Sequence, residues 1–118
     1  MALTVNAKTY SANSFRSDRI DYVGPSNTVS VKDTIVMART APKPSATFSG
    51  VGRQQCKLTR TLTLTGALTP TGDGIISAET SIPVGAAAAD IDTMCADFGT
   101  FVTSAGFKDL LKKQLINQ

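Results

Sequence analysis

Histidine and tryptophan are missing from this 118-residue chain, glutamate occurs once, at Glu79, and cysteine occurs twice. Each scarcity removes a class of chemistry. Without histidine there is no imidazole base to activate a nucleophile and no nitrogen ligand for zinc. Cys56 and Cys95 lie too far apart in sequence to form a metal or redox motif. The acids are scattered, so no pair is placed for general acid and base work. Asp90 and Asp92 come nearest to a metal site, but positions i and i+2 of a helix point apart, and negative charge favouring a helix start is the better reading. Ser and Thr are abundant yet lack a base to activate them. Gly50-Val51-Gly52 runs into a strand pattern, whereas a phosphate loop or dinucleotide turn runs into a helix. The chain reads as a non-enzyme with no catalytic residues, no cofactor, no metal and no small-molecule substrate.

Long apolar runs are also missing. No stretch approaches the roughly 18 apolar residues of a membrane helix, and Met1 to Tyr10 is polar and alternating, unlike a secretory signal. The expectation is a chain made in the cytoplasm with no membrane partner. In that compartment the two cysteines are expected as free, buried thiols, with a Cys56–Cys95 disulfide as the alternative.

The residues that are abundant suit one domain with a modest core: 42% are hydrophobic, only 18% are charged, and Ser, Thr, Ala and Val fill the difference. The formal charge of +3 is unevenly spread: residues 1–83 hold nine Lys or Arg against five Asp or Glu, and residues 84–118 hold three against four. The positive surplus therefore belongs to the first two thirds of the chain, which suits a polyanion such as nucleic acid but is also common on inert surfaces.

Apolar periodicity divides the chain in the same place. Leu3 to Ala7 and Tyr10 to Arg16 read as an N-terminal hairpin, and Arg19 to Val23 as a short strand ending in the turn Gly24-Pro25-Ser26-Asn27. From Thr28, Val29, Val31, Ile35 and Met37 share one parity while Ser30, Lys32 and Thr34 share the other, as in a half-buried strand running to Thr40. Two prolines make 41–52 a loop with a poor strand inside it. Arg53 to Thr65 gives the clearest strand, with Cys56, Leu58, Leu62 and Leu64 in an apolar row and Arg53, Gln55, Lys57, Thr59, Thr61 and Thr63 in a polar one. Arg60 interrupts the apolar row. An antiparallel pairing with the preceding strand sets Asp33 opposite Arg60 and neutralises both. Gly66 to Gly74 reads as a loop, and Ile75 to Pro83 as a strand with Ser77, Glu79 and Ser81 on its polar side.

After Pro83 the period changes to 3.6. Ile91, Met94, Cys95, Phe98, Phe101, Val102 and Ala105 form one helical stripe. Gly106 is expected to end that helix, and Phe107, Leu110, Leu111 and Leu115 mark a second. Strands followed by helices define an α+β fold. The polar row of Arg53, Gln55, Lys57, Thr59 and Thr61, with Lys32 and Thr34 beside it, offers charges for phosphate and amides or hydroxyls for base edges. A solvated sheet face, on which Thr and Lys are ordinary residues, is the better reading from their chemistry alone. The helices either fold back on their own sheet or cover that of a second copy.

Over about residues 28–115 the chain resembles the coat proteins of small single-stranded RNA bacteriophages of the levivirus type. The resemblance is carried by the strand Val29 to Thr40, the strand Gln55 to Leu64 (QCKLTRTLTL), a Gly/Pro loop, and Ile76 to Pro83 (ISAETSIP) leading directly into two helices. Residues 1–27 match only in kind. The resemblance implies a single coat-protein domain: an N-terminal hairpin and short strand (1–27), a main sheet (28–83) and two dimer-clasping helices (84–118). Two chains would intertwine into a homodimer with one continuous antiparallel sheet, and dimers would close into an icosahedral shell, usually T=3. Such a shell would be the virion capsid, assembled in the bacterial host cytoplasm around genomic RNA.

It further implies that Ile91, Met94, Cys95, Phe98, Phe101, Val102, Phe107, Leu110 and Leu111 form the dimer interface. Lys32, Thr34, Arg53, Gln55, Lys57, Thr59, Thr61, Ser77 and Glu79 would bind RNA, including a hairpin through which replicase translation is repressed. Thr69, Pro70, Thr71, Gly72 and Asp73 would lie in a loop around the symmetry axes. Ile75 stands where well-known members use an aromatic to stack on a base, so hairpin recognition is expected to differ or to be weaker. The axis loop has no cysteine, so cross-links between subunits are not expected there. Thr61 in place of a second basic residue leaves the face less positive. A stand-alone nucleic-acid-binding dimer is the competing reading.

Overall fold

A computed structural model describes residues 2–47, 50–66 and 68–116. The chain divides into two units, Met1–Val84 and Gly85–Gln118. The first is a six-stranded antiparallel meander in chain order: β1 (Ala2–Val5), β2 (Lys8–Arg16), β3 (Arg19–Val23), β4 (Asp33–Thr40), β5 (Val51–Thr63) and β6 (Thr71–Pro83). The second holds α1 (Ala88–Val102) and α2 (Ala105–Lys113). The α+β order expected from the sequence is the order observed.

Local chemistry sets the strand ends. Asn6 and Ala7 both have positive φ, 51° and 64°, the two-residue hairpin turn whose twist matches its flanking strands. In β2 the register slips between Ala12 and Ser14, a bulge that keeps Tyr10 and Phe15 on the same side of the sheet. Cross-strand partners share a face, so the pairing assigns every strand residue to a side. Tyr22–Ile35–Leu58–Ile76 and Ile20–Met37–Cys56–Ala78 run across the apolar face. Val36 and Ala38 pair with Lys57 and Gln55 and so belong to the opposite, polar face.

The sheet's small core is Tyr10, Tyr22 and Ile35, with Leu3, Ile20, Met37 and Leu58 packed against it. Asp33 is buried beside it, only 2% exposed. The expected pairing of Asp33 with Arg60 is present in the β4–β5 register, and Arg60 Nε donates to Asp33 Oδ1 at 3.3 Å. Tyr10 completes the group: its hydroxyl donates to Asp33 Oδ1 at 2.8 Å and accepts from Arg60 Nη2 at 2.7 Å. Burial, then the hydrogen bond to Asp33, pushes the Tyr10 phenol above its ordinary value. The bond to Tyr10 is the main reason the Arg60 guanidinium holds its proton more tightly than usual. Asn27 Oδ1 accepts from the Asp33 backbone N–H at 3.1 Å, tying the 24–27 turn to the same point.

Gly24 lies directly over this group. A Cβ there would sit 2.5 Å from Asp33 Oδ2 and 2.6 Å from Tyr10 Cε2. Neither can retreat without breaking the network, so Gly24→Ala is expected to destabilise the protein by about 1–3 kcal/mol, read as a lower urea midpoint. An unchanged midpoint would mean the turn moves freely over Asp33.

Several expected boundaries shift. β4 begins at Asp33, because Thr28 and Val31 close a turn: Thr28 N–H donates to Val31 O at 2.8 Å, and Val31 N–H to Thr28 Oγ1 at 3.1 Å. Val29 and Val31 are consequently exposed. β5 starts and ends two residues earlier than expected. The poor strand expected within 41–52 falls partly on Phe48 and Ser49, outside the described residues; of the rest, only Val51 and Gly52 are strand, as the start of β5.

The loop expected over Gly66 to Gly74 is shorter, and Ala67 within it also lies outside the described residues. Thr71, Gly72, Asp73 and Gly74 belong to β6, paired with Thr63, Leu62, Thr61 and Arg60. The two glycines of this segment make room within the strand: a Cβ on Gly74 would sit 2.7 Å from Leu62 Cδ1, and one on Gly72 3.0 Å from Leu64 Cδ1.

In the helical unit, Asp90 lies in the first turn of α1, and Lys112 and Lys113 lie in the last turn of α2, where each charge complements the helix dipole. The break between helices comes at Thr103 and Ser104, and Gly106 is inside α2. Ser104 is extended, and its Oγ accepts from Phe107 N–H at 3.3 Å, the N-cap that starts α2 ahead of Gly106. Cys56 and Cys95 are free, as expected, but exposed where burial was expected: both sit on apolar faces that the single chain leaves open.

Candidate nucleic-acid interface

The register brings all nine residues of the expected polar site onto one face. Lys32 extends the pairing beyond β4, its N–H donating to Thr61 Oγ1 at 2.8 Å and its carbonyl accepting from Thr61 N–H at 2.9 Å. Thr34 pairs with Thr59, Lys57 with Ser77, Gln55 with Glu79, and Arg53 with Ser81. Alternation then places Lys32, Thr34, Arg53, Gln55, Lys57, Thr59, Thr61, Ser77 and Glu79 on the side opposite the Tyr10–Tyr22–Ile35 core.

Sequence reasoning missed other members of this face. Arg16, Arg19 and Asp21 join it through β2 and β3, and Asp73 through its pairing with Thr61, while Ile75, expected on this face from the resemblance, pairs with Thr59. The alternation of Arg19 and Asp21 with Ile20 and Tyr22 carried that signal for β3. Asp73 was hidden by assigning its segment to a loop.

The cations differ in what holds them. Arg19 Nε bonds Asp21 Oδ1 at 3.0 Å, and Lys32 Nζ bonds Asp73 Oδ2 at 3.1 Å. Arg53 and Lys57 carry no ion pair among the described residues, and Glu79 is turned to Gln55, whose Nε2 donates to Oε1 at 3.3 Å. The positive charge free to meet an anion is thus Arg16 on β2 and, on β5, the pair Arg53 and Lys57. Arg53 and Lys57 are four residues apart, about 13 Å along the strand, with an amide and hydroxyls between and beside them. That arrangement can follow a phosphate backbone while leaving polar groups for base edges. No group of three His, Cys, Asp or Glu side chains among the described residues is placed to hold a metal ion. No helix among them is long and apolar enough to cross a membrane.

No protein-family model matches the sequence, and no curated protein matches it. Solved structures do. The protein in the virus-like particle of Beihai levi-like virus 32 superposes with a TM-score of 0.82 at 18% identity, over 97% of this chain and 92% of that one. The chain has the levivirus-type coat-protein fold. The virus-like particle of bacteriophage AVE019 gives a TM-score of 0.75 at 17% identity, over 100% of this chain and 96% of that one. The bacteriophage EMS014 coat protein gives 0.58 at 15%, over 84% and 68%.

Two further surfaces of this coat-protein fold lack a covering. No residue of α1 or α2 is buried: Met94, Phe98, Phe101 and Leu111 are 62%, 54%, 49% and 55% exposed. Cys95 and Leu110 are exposed beside them, and Ile91, Val102 and Phe107 are half-buried. Phe101 meets Phe107 edge-on at 5.4 Å and Phe98 at 6.4 Å, joining the two helices through one aromatic cluster. On the sheet, Phe15, Ile20, Met37 and Cys56 border an open apolar groove of about 410 Å³. β6 is a sheet edge thirteen residues long, with no lysine and no proline before its last residue to blunt it.

Proposed function

We propose that this chain is the capsid protein of a small RNA bacteriophage, a structural protein with no catalytic role. It dimerises, and its dimers assemble into an icosahedral virion shell around genomic RNA in the host cytoplasm. The observation that carries the reading is the superposition, along almost the whole chain, on proteins of levi-like virus particles. The exposed surfaces support it independently. Among the described residues, three buried hydrophobic residues make a core small for a chain of this length, and apolar surface left open on both units calls for a partner. A second copy supplies the complement: its β6 edge continues the sheet, and its helical stripe of Ile91, Met94, Cys95, Phe98, Phe101, Val102, Phe107, Leu110 and Leu111 covers the apolar face in return. The polar face then looks into the shell and meets RNA through Arg53 and Lys57, with Lys32, Thr34, Gln55, Thr59, Thr61, Ser77 and Glu79 around them. The loop before β6, with Thr69 and Pro70, gathers at symmetry axes, while Thr71, Gly72 and Asp73 stiffen its base as strand. Repression through an RNA hairpin would use the same face without an aromatic stack, since Ile75 takes that place.

Electron microscopy of the chain expressed alone is expected to give uniform closed shells holding nuclease-protected RNA. Soluble dimers at every concentration would favour the stand-alone nucleic-acid-binding module instead. Replacing Arg53 and Lys57 together by glutamine is expected to leave dimers intact and to cut packaged RNA several-fold, measured as the 260/280 nm absorbance ratio of purified shells. Equal RNA content would move the contact away from β5.

A further inference from the structure

On the polar face, two donors converge on one carboxylate. Thr61 Oγ1 donates to Asp73 Oδ1 at 2.9 Å, and Lys32 Nζ bonds Asp73 Oδ2 at 3.1 Å. The Lys32 N–H donates to that same Thr61 hydroxyl at 2.8 Å, orienting its proton toward Asp73. An ammonium group and a hydroxyl polarised by an amide are the donors that bind a phosphate oxygen. Here an internal anion already occupies them. We propose that Asp73 is a built-in competitor for RNA phosphate, holding Lys32 and Thr61 out of the binding surface until a nucleic acid displaces it. This rests on the reading of the polar face as the RNA contact, and it names a residue that limits the affinity of that contact.

The energetics allow the exchange. Both partners are open to water, Lys32 with 63% and Asp73 with 37% of the side chain exposed, and an ion pair at such a site is worth little and is screened by salt. Thr61 and Lys32 hold the Asp73 carboxyl below its ordinary value, so it stays an anion at neutral pH and protonation does not release Lys32. Displacement must come from another anion. The competitor also accounts for Lys32 being occupied while Arg53 and Lys57 are free. Arg53 and Lys57 on β5 offer first contacts, while Lys32 at the far end joins only when a phosphate reaches the Thr61–Asp73 pair. RNA that bridges both ends gains a contact that shorter or misplaced RNA does not.

The test is the binding of a labelled oligouridine to the purified protein over a series of salt concentrations. Asp73→Asn keeps the shape and removes the charge. It is expected to bind roughly 5- to 10-fold tighter at low salt, with a log–log salt slope steeper by ~0.7, the increment for one more phosphate on a single strand. The double variant Asp73→Asn, Lys32→Met is expected to lose that gain. Asp92→Asn, the same charge change in α1, is expected to match wild type. If Asp73→Asn keeps wild-type affinity and slope while Arg53→Gln with Lys57→Gln weakens binding, the face binds RNA but Asp73 does not compete, and the proposal is overturned. If Asp92→Asn tightens binding as much as Asp73→Asn, the effect is one of net charge and the proposal is equally overturned. If no variant changes binding, the reading of the face fails and takes the proposal with it.

Discussion

Replacing Arg60 by methionine is expected to destabilise the protein by about 3–5 kcal/mol, a large part of the stability of a small domain. The figure follows from what is left behind. Asp33 is 2% exposed, and its Oδ1 accepts from both Tyr10 and Arg60. Methionine keeps the bulk of the arginine stem but leaves a buried carboxylate with a single neutral donor. The Tyr10 hydroxyl, which accepts from Arg60 at 2.7 Å, loses its charged partner at the same time. Charge reversal, Arg60→Glu, sets two carboxylates against each other and is expected to leave no soluble protein. The cost belongs to the uncompensated charge, so the double variant Asp33→Asn, Arg60→Met is expected to recover most of the loss. Urea unfolding at one fixed protein concentration compares the variants, because the stability of an oligomer depends on concentration. If Arg60→Met unfolds with wild type, or if the double variant is no better than the single, the network does not hold the sheet.

That pair was legible in the sequence because two patterns conflicted there. Arg60 interrupts the row Cys56, Leu58, Leu62 and Leu64, and a charge on an apolar row demands a partner on the adjacent strand; Asp33 was the acid within reach. Tyr10 was not legible, because it joins the group from β2, across β3, and no local pattern reports a contact between residues fifty positions apart. The helix boundary misled for a related reason. Gly106 carries the stronger reputation as a stop, but a helix is restarted by whichever residue satisfies its free N–H groups, and Ser104 does so.

The nine polar residues share one face because alternation is unambiguous on a strand whose two sides differ in chemistry. What period two does not give is the charge balance of that face, which depends on which acids join it from other strands. Asp73 was assigned to a loop on the strength of its glycine neighbours, although Gly72 and Gly74 serve to accommodate Leu64 and Leu62 across the hairpin. Glycine signals a close approach as readily as a turn. Reading it only as a turn hid the acid that holds Lys32.

Phe101→Asp is expected to abolish shells and to weaken the dimer by at least a hundredfold. Phe101 is 49% exposed in the single chain, yet it sits between Phe98 and Phe107 in the cluster that joins α1 to α2. Residues so placed, apolar and half open, are what a partner surface covers. Burying the exposed half of a phenylalanine is worth about 0.7–1.5 kcal/mol, and a two-fold dimer buries it twice, so its loss costs about 1.5–3 kcal/mol, to which the desolvation of two new carboxylates adds at least as much again. Thr93→Asp introduces the same charge in the same helix, about 140° around the helix from Phe98; it is expected to assemble normally. Phe101→Leu keeps an apolar side chain and is expected to fall between the two. Sedimentation velocity and electron microscopy read the outcome. Shells from Phe101→Asp at wild-type yield would remove α1 from the dimer interface. Loss of assembly in Thr93→Asp as well would show that the helix cannot carry an added charge anywhere, and the stripe would no longer be singled out as the contact surface.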